Sequence, residues 1–177
     1  MVTPPSGDAR VDIVNEHMRL ENAKDFDACI AMFDRARYDV RASDELYDGP
    51  ERVHDFLDEN HTAFPDFEFV PSRVAPAADV VLVEGRFTGT HLGEWRGLPP
   101  TGRRVDFPMC LIFEFEGESM VSERLYFDVG TPLAQLGVAD DPDSTRGKLT
   151  AAITHPLVII GSAARSLWSR LFGRAKS

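Results

Sequence analysis

The sequence predicts an α+β fold, and three observations carry that expectation. Apolar residues recur at helical spacing through about the first 64 positions. From about residue 67 the pattern changes to alternation with period two. Turn-forming clusters such as Asp48-Gly49-Pro50 and Pro76-Ala77-Ala78-Asp79 separate the segments. Helices followed by a run of strands place the helices on one side of a largely antiparallel sheet.

A first helix is expected over about residues 8–22, with Val11, Val14 and Met18 on one face and an aspartate near its start. Asp25 is suited to cap a second helix lined by Phe26, Ile30 and Phe33. Residues 37–42 read as one short early strand. Pro50 suits the first position of a third helix, in which Val53, Phe56, Leu57, Asn60 and Phe64 keep helical spacing. Strands are then expected at about 67–75 and 80–91. The clearest alternation follows: Val105, Phe107, Met109, Leu111, Phe113 and Phe115 take one parity, and Asp106, Pro108, Cys110, Ile112 and Glu114 the other. Gly117 marks a tight turn, and residues 120–128 return as the second arm of a hairpin ending in Asp128. Thr131-Pro132 opens a short helix that Gly137 can close.

The expected organisation is a domain over residues 1–138 and an appendage over 139–177. In the appendage, a linker precedes an amphipathic helix over about 156–172, and His155 stands just before it. The apolar stripe of that helix includes Leu157, Ile160, Leu167, Trp168 and Leu171. Residues 146–177 carry basic residues and no acidic ones, while the whole chain has net charge −10. The tail is therefore expected to pack on the acidic body, with weak contact to a membrane surface or a partner protein as alternatives. The charge argues against nucleic acid as a partner. Two cysteines, Cys29 and Cys110, give no disulfide framework. The first residues do not form a basic-then-apolar leader, and no apolar stretch approaches a membrane span, so a cytoplasmic location is expected.

Chemistry-bearing residues gather in the C-terminal half of the strand region. The order is T-G-T-H-L-G (88–93), G-L-P-P-T-G-R-R-V (97–105), Y-F-D (126–128) and Q-L-G (135–137). In this order and spacing, the segments resemble the SnoaL-like polyketide cyclase (ester cyclase) family, over about residues 10–138. The resemblance implies an NTF2-like cone, in which a curved sheet wraps around the N-terminal helices, and a homodimer. It also implies an aspartate, here Asp128, as general acid/base of an intramolecular aldol closure. Such chemistry needs a base beside a carbonyl and stabilisation of the developing enolate.

On the last strand, Ser122, Arg124, Tyr126 and Asp128 share one face, and Glu123, Leu125 and Phe127 the other. If the first face lines a cavity, it brings a carboxylate, a phenol and a guanidinium together. Catalytic roles are thus expected for Asp128 and His91, and substrate contacts for Arg124, Tyr126, Trp95 and His61. Arg124 suits an anionic or enolate oxygen, Trp95 a lid on a proline-stiffened lip, and His61 an approach to the core. Asp128 can alternatively cap the following helix, and His91 can bond to backbone at the strand end. No phosphate loop, dinucleotide fingerprint, nucleophile elbow or metal-ligand spacing is present, which fits a reaction without cofactor or metal on a small-molecule substrate. The expected function is a carbonyl cyclase or isomerase. The alternatives are an epoxide hydrolase-like set, Asp106, Arg124 and Asp128, and a non-catalytic ligand carrier.

Overall fold

In a computed structural model, residues 7–140 and Thr145 are described. The chain divides into two compact units, Met1–Leu136 and Gly137–Ser177. The loose arm expected over residues 1–7, but for Gly7, most of the linker, His155 and the amphipathic helix lie outside the described residues. Among the described residues, no helix is long and apolar enough to cross a membrane.

The first unit is an open, curved six-stranded sheet with helices against it. In chain order the elements are α1 (Ala9–Asn22), α2 (Phe26–Ile30), β1 (Arg37–Val40), β2 (Glu45–Asp48), α3 (Pro50–Ala63), β3 (Glu68–Ala77), β4 (Val80–Thr90), β5 (Arg104–Glu116), β6 (Ser119–Tyr126) and α4 (Gly130–Leu136). Asp8 caps α1 by accepting from the Arg10 amide, and Asp25 caps α2 by accepting from the Ala28 amide. Pro50 opens α3 as expected, one residue after Gly49 at φ +98°. The spatial strand order is β2-β1-β6-β5-β4-β3; β1 and β6 run parallel and every other neighbouring pair antiparallel.

One early strand was expected and two are present. β2, Glu-Leu-Tyr-Asp, is a half-exposed edge strand turned back onto β1, so it lacks the apolar density that marks a buried strand. The long hairpin does follow its predicted alternation. Val105, Phe107, Leu111, Phe113 and Phe115 are buried on the concave side, each burial contributing about 1.5–3 kcal/mol.

The decisive local feature is a β-bulge in β6. Glu116 pairs with Ser119 and Phe115 with Met120, but Glu114 pairs with Ser122, leaving Val121 without a partner. Without that extra residue Phe113 would face Ser122, and Arg124, Tyr126 and Asp128 would follow it to the concave side. With it, Phe113 faces Glu123 and Leu111 faces Leu125. A slip of one residue exchanges the two faces of a strand.

Candidate active site

Between the helices and the concave sheet face lies a cavity of about 70 Å³, measured as space open to the centres of water-sized spheres. That is room for several waters or part of a small organic molecule. Its wall is aromatic. Phe64, Phe87, Phe107 and Phe127 form a chain of rings across β4, β5 and the end of β6, with successive centroids 5.9, 5.2 and 5.3 Å apart. Trp95 closes against Phe64 at 5.6 Å. Among the described residues, five polar ones reach this apolar space: Glu21, Asn22 and Asn60 from the helices, Glu123 from β6, and Arg96 from the loop after β4.

Glu21 and Glu123 converge on His17, which is fully buried below them. His17 Nε2 lies 3.2 Å from a Glu123 oxygen and 3.6 Å from a Glu21 oxygen. Its Nδ1 is 3.3 Å from Cys29 Sγ. The Tyr38 hydroxyl lies 3.1 Å from His17 Nε2 and donates to Glu21 at 3.4 Å. Burial alone would depress the His17 pKa, but hydrogen bonds with Cys29 and Glu123 outweigh it and push it well above the usual histidine range. As an imidazolium, His17 has two N–H groups to share between Glu123 and the Cys29 sulfur. Burial pushes the Glu21 carboxyl up to about 7, and the Glu123 charge adds to the effect; His17 and Lys24 oppose it. Burial also raises Tyr38 and Cys29, keeping both protonated near neutrality.

His17, Glu21 and Cys29 bring a nitrogen, an oxygen and a sulfur within 4.8 Å of one another, a donor set of the kind that binds zinc-like cations. The same atoms satisfy one another through protons, together with Tyr38 and Glu123. The cluster therefore reads as a proton-bearing network.

Of the six residues expected at the site, Trp95 alone lines the cavity. Asp128 is exposed, and its oxygens accept from the Gly130 amide at 3.1 Å, the Thr131 amide at 3.1 Å and the Thr131 hydroxyl at 2.7 Å. It caps α4, and these hydrogen bonds hold its pKa below the usual carboxylate value. Arg124 pairs with Glu114 on the convex face, and Tyr126 is 40% exposed there. The concave placement expected for Asp128, Arg124 and Tyr126 is thus reversed, because the Val121 bulge turns their face outward. Asp106 pairs with Arg86 at the surface, so Asp106, Arg124 and Asp128 do not assemble in the cavity.

His91 is fully buried but does not line the cavity. Its Nδ1 accepts from the Thr101 amide at 3.2 Å, and burial lowers its pKa, so the ring is neutral with its proton on Nε2. That nitrogen has no partner among the described residues. His61 packs edge-on against Phe26 and Phe67, one residue beyond the cavity-lining Asn60.

The motifs that carry the family resemblance build the scaffold. Thr90 donates to Asp66 through its amide at 2.6 Å and its hydroxyl at 2.7 Å. His91 anchors Thr101. A Cβ at Gly93 would lie 2.1 Å from the Thr62 carbonyl oxygen, so that close approach requires glycine. Gln135 exchanges two 2.8 Å hydrogen bonds with the Asp106 backbone, tying α4 to β5. The sequence signal for the cavity acids was fainter. Met120 takes one parity and Leu125 and Phe127 the other, and that change of apolar parity within one strand marks a bulge. Glu21 has no such signal, because its significance lies in a buried partner a hundred residues away.

An α+β cone with a pocket between helices and a curved sheet is the NTF2-like class, and comparison with solved structures agrees. AclR from Streptomyces galilaeus, proposed there to be a hydroxylase, aligns with a TM-score of 0.65 at 22% identity, over 75% of this chain and 87% of its own. IdmH from Streptomyces antibioticus, proposed to be a polyketide cyclase, aligns at 0.63 and 22%, over 73% and 99%. An NTF2-like protein from Burkholderia pseudomallei aligns at 0.63 and 15%, over 73% and 98%. No curated protein matches the sequence. The family model for SnoaL-like polyketide cyclase matches residues 11–136, and the chain belongs to that family. Membership points to a cyclase or isomerase.

Proposed function

We propose that the protein is a cofactor-independent cyclase or isomerase acting on an apolar carbonyl compound, with Glu21 as its general base. The observation that supports this most is a carboxyl pushed up to about 7 inside an aromatic cavity. A base with a pKa near the working pH combines availability with proton affinity. Glu21 takes the proton next to the substrate carbonyl, and the C–H electron pair passes onto the carbonyl oxygen. Asn60 donates one amide N–H to the Phe56 carbonyl at 2.7 Å, which leaves its second N–H for that oxygen. The enolate carbon then attacks a second carbonyl, or is reprotonated at another position, and Glu21 returns the proton. Glu123 and the His17 imidazolium set the affinity of Glu21 for it. A small-molecule substrate, a homodimer and a cytoplasmic location belong to the same proposal.

The test is exchange of the α-hydrogens of 2-tetralone in D₂O, followed by NMR. The protein accelerates exchange with a rate that rises as pH passes through about 7. Glu21→Gln lowers the acceleration by about 10²-fold or more, and Asp128→Asn leaves it unchanged. Full acceleration by Glu21→Gln, or its loss in Asp128→Asn, would overturn the assignment.

A further inference from the structure

The cavity is polarised from end to end. Its deep end holds Glu123, 1% exposed, with the half-buried Glu21 beside it. Arg96 also lines it but is itself exposed, so it stands at the open end, and among the described residues no other cation lines the cavity. Arg96 sits in a tight turn in which Trp95 and Leu98 exchange backbone hydrogen bonds of 3.0 and 2.8 Å. Arg96 and Gly97 both have positive φ, +52° and +78°. Glycine or asparagine is the usual residue in the left-handed region, so a long cationic side chain held there at the rim of a pocket calls for a function. The guanidinium pairs with Glu45, the side chains being 36% and 41% exposed. Such a hydrated pair is weak and exchangeable.

We propose that Arg96 is the specificity-determining residue of this cavity, exchanging Glu45 for a carboxylate on the substrate. The preferred ligand is then an aromatic or otherwise apolar carbonyl compound bearing a free carboxylate, rather than its neutral ester. Glu45 already presents to Arg96 the group that a ligand would replace, and a guanidinium fork accepts a planar carboxylate in two-point geometry. The acids at the deep end repel an anion. The ligand therefore enters apolar end first, with its carbonyl toward Glu21 and its carboxylate at the rim. The sequence reading gave this task to Arg124, which is committed to Glu114 on the convex face.

The inference rests on the cavity being the ligand site, and its test separates the two. Binding of 2-naphthylacetate and of its methyl ester to the full chain is measured by calorimetry at low ionic strength. The acid binds about tenfold more tightly than the ester, the increment of one charge-assisted contact. Arg96→Gln abolishes the preference by lowering acid affinity far more than ester affinity, since the ester loses only the wall that Arg96 forms beside the Trp95 ring, 5.7 Å from its guanidinium. Glu45→Gln widens the preference by removing the competing carboxylate. Equal binding of acid and ester by the wild type overturns the proposal. So does an equal loss for both in Arg96→Gln, which would make the residue no more than a wall. Failure of both ligands to bind overturns this proposal and the cavity reading together. A retained acid preference with undiminished exchange activity in Glu21→Gln removes Glu21 as base and leaves Arg96 in place.

Discussion

The two faces of β6 lie one strand thickness apart and differ in every physical respect. On the concave face, Glu123, Leu125 and Phe127 meet helices and rings. On the convex face, Arg124, Tyr126 and Asp128 meet solvent, a neighbouring strand's carboxylate or a helix terminus. The convex face has the residue types of an active site, yet its charges are paired and hydrated. The concave face holds Glu123, which pairs with the buried His17 and whose charge adds to the burial that raises Glu21 on α1. The contrast shows that a carboxylate becomes a useful base through burial and neighbours, and that residue identity alone does not provide this.

Deleting Val121 should break the comparison most severely. It would turn Arg124 into the cone and Glu123 out of it, at a cost of more than about 4 kcal/mol, read as loss of soluble protein or of a cooperative urea transition. Next comes Glu123→Ala, which removes the nearer and more buried of the two carboxylates beside the His17 cation, leaving Glu21 at 3.6 Å, and should cost about 3 kcal/mol in urea unfolding. Arg124→Ala, one residue along, should cost about 1 kcal/mol or less. Nearly equal losses for the two would erase the distinction between the faces.

Glu21→Gln sharpens the comparison through pH. The folded-state pKa of Glu21 is raised from 4.5 to about 7, so the native state holds a proton that the unfolded state has released. The stability Glu21 contributes is present below about 4.5 and is lost as pH rises toward 7, by at most about 3 kcal/mol. The glutamine variant should flatten the wild-type decline between pH 4.5 and 7 in urea midpoints; an unchanged slope would assign the decline to other groups. The smallest effect is Asp128→Ala, which removes a helix cap and should lower Tm by a few degrees. A much larger drop would mean that the exposed carboxylate does more than cap α4.

Most of the cone was legible because it is written in periodicity and in residues that act locally. Pro50, Asp25 and the alternation of β5 each state their structural part within a few positions. The family motifs were legible too, but they describe the cone's construction: Thr90, His91, Gly93, Asp128 and Gln135 all fasten loops and ends. The candidate site was largely illegible for two reasons. The face of β6 depends on one bulged residue, whose only sign is a change of apolar parity after Met120. The unusual proton affinity of Glu21 depends on its burial and on the charge of Glu123, which only the tertiary fold supplies.

The account depends most directly on the ionisation of Glu21, which can be followed by NMR titration of its side-chain carboxyl carbon. A midpoint near 7, shifting downward when Glu123 is replaced by glutamine, is the predicted result. A midpoint near the ordinary glutamate value of 4.5, indifferent to that replacement, would contradict it.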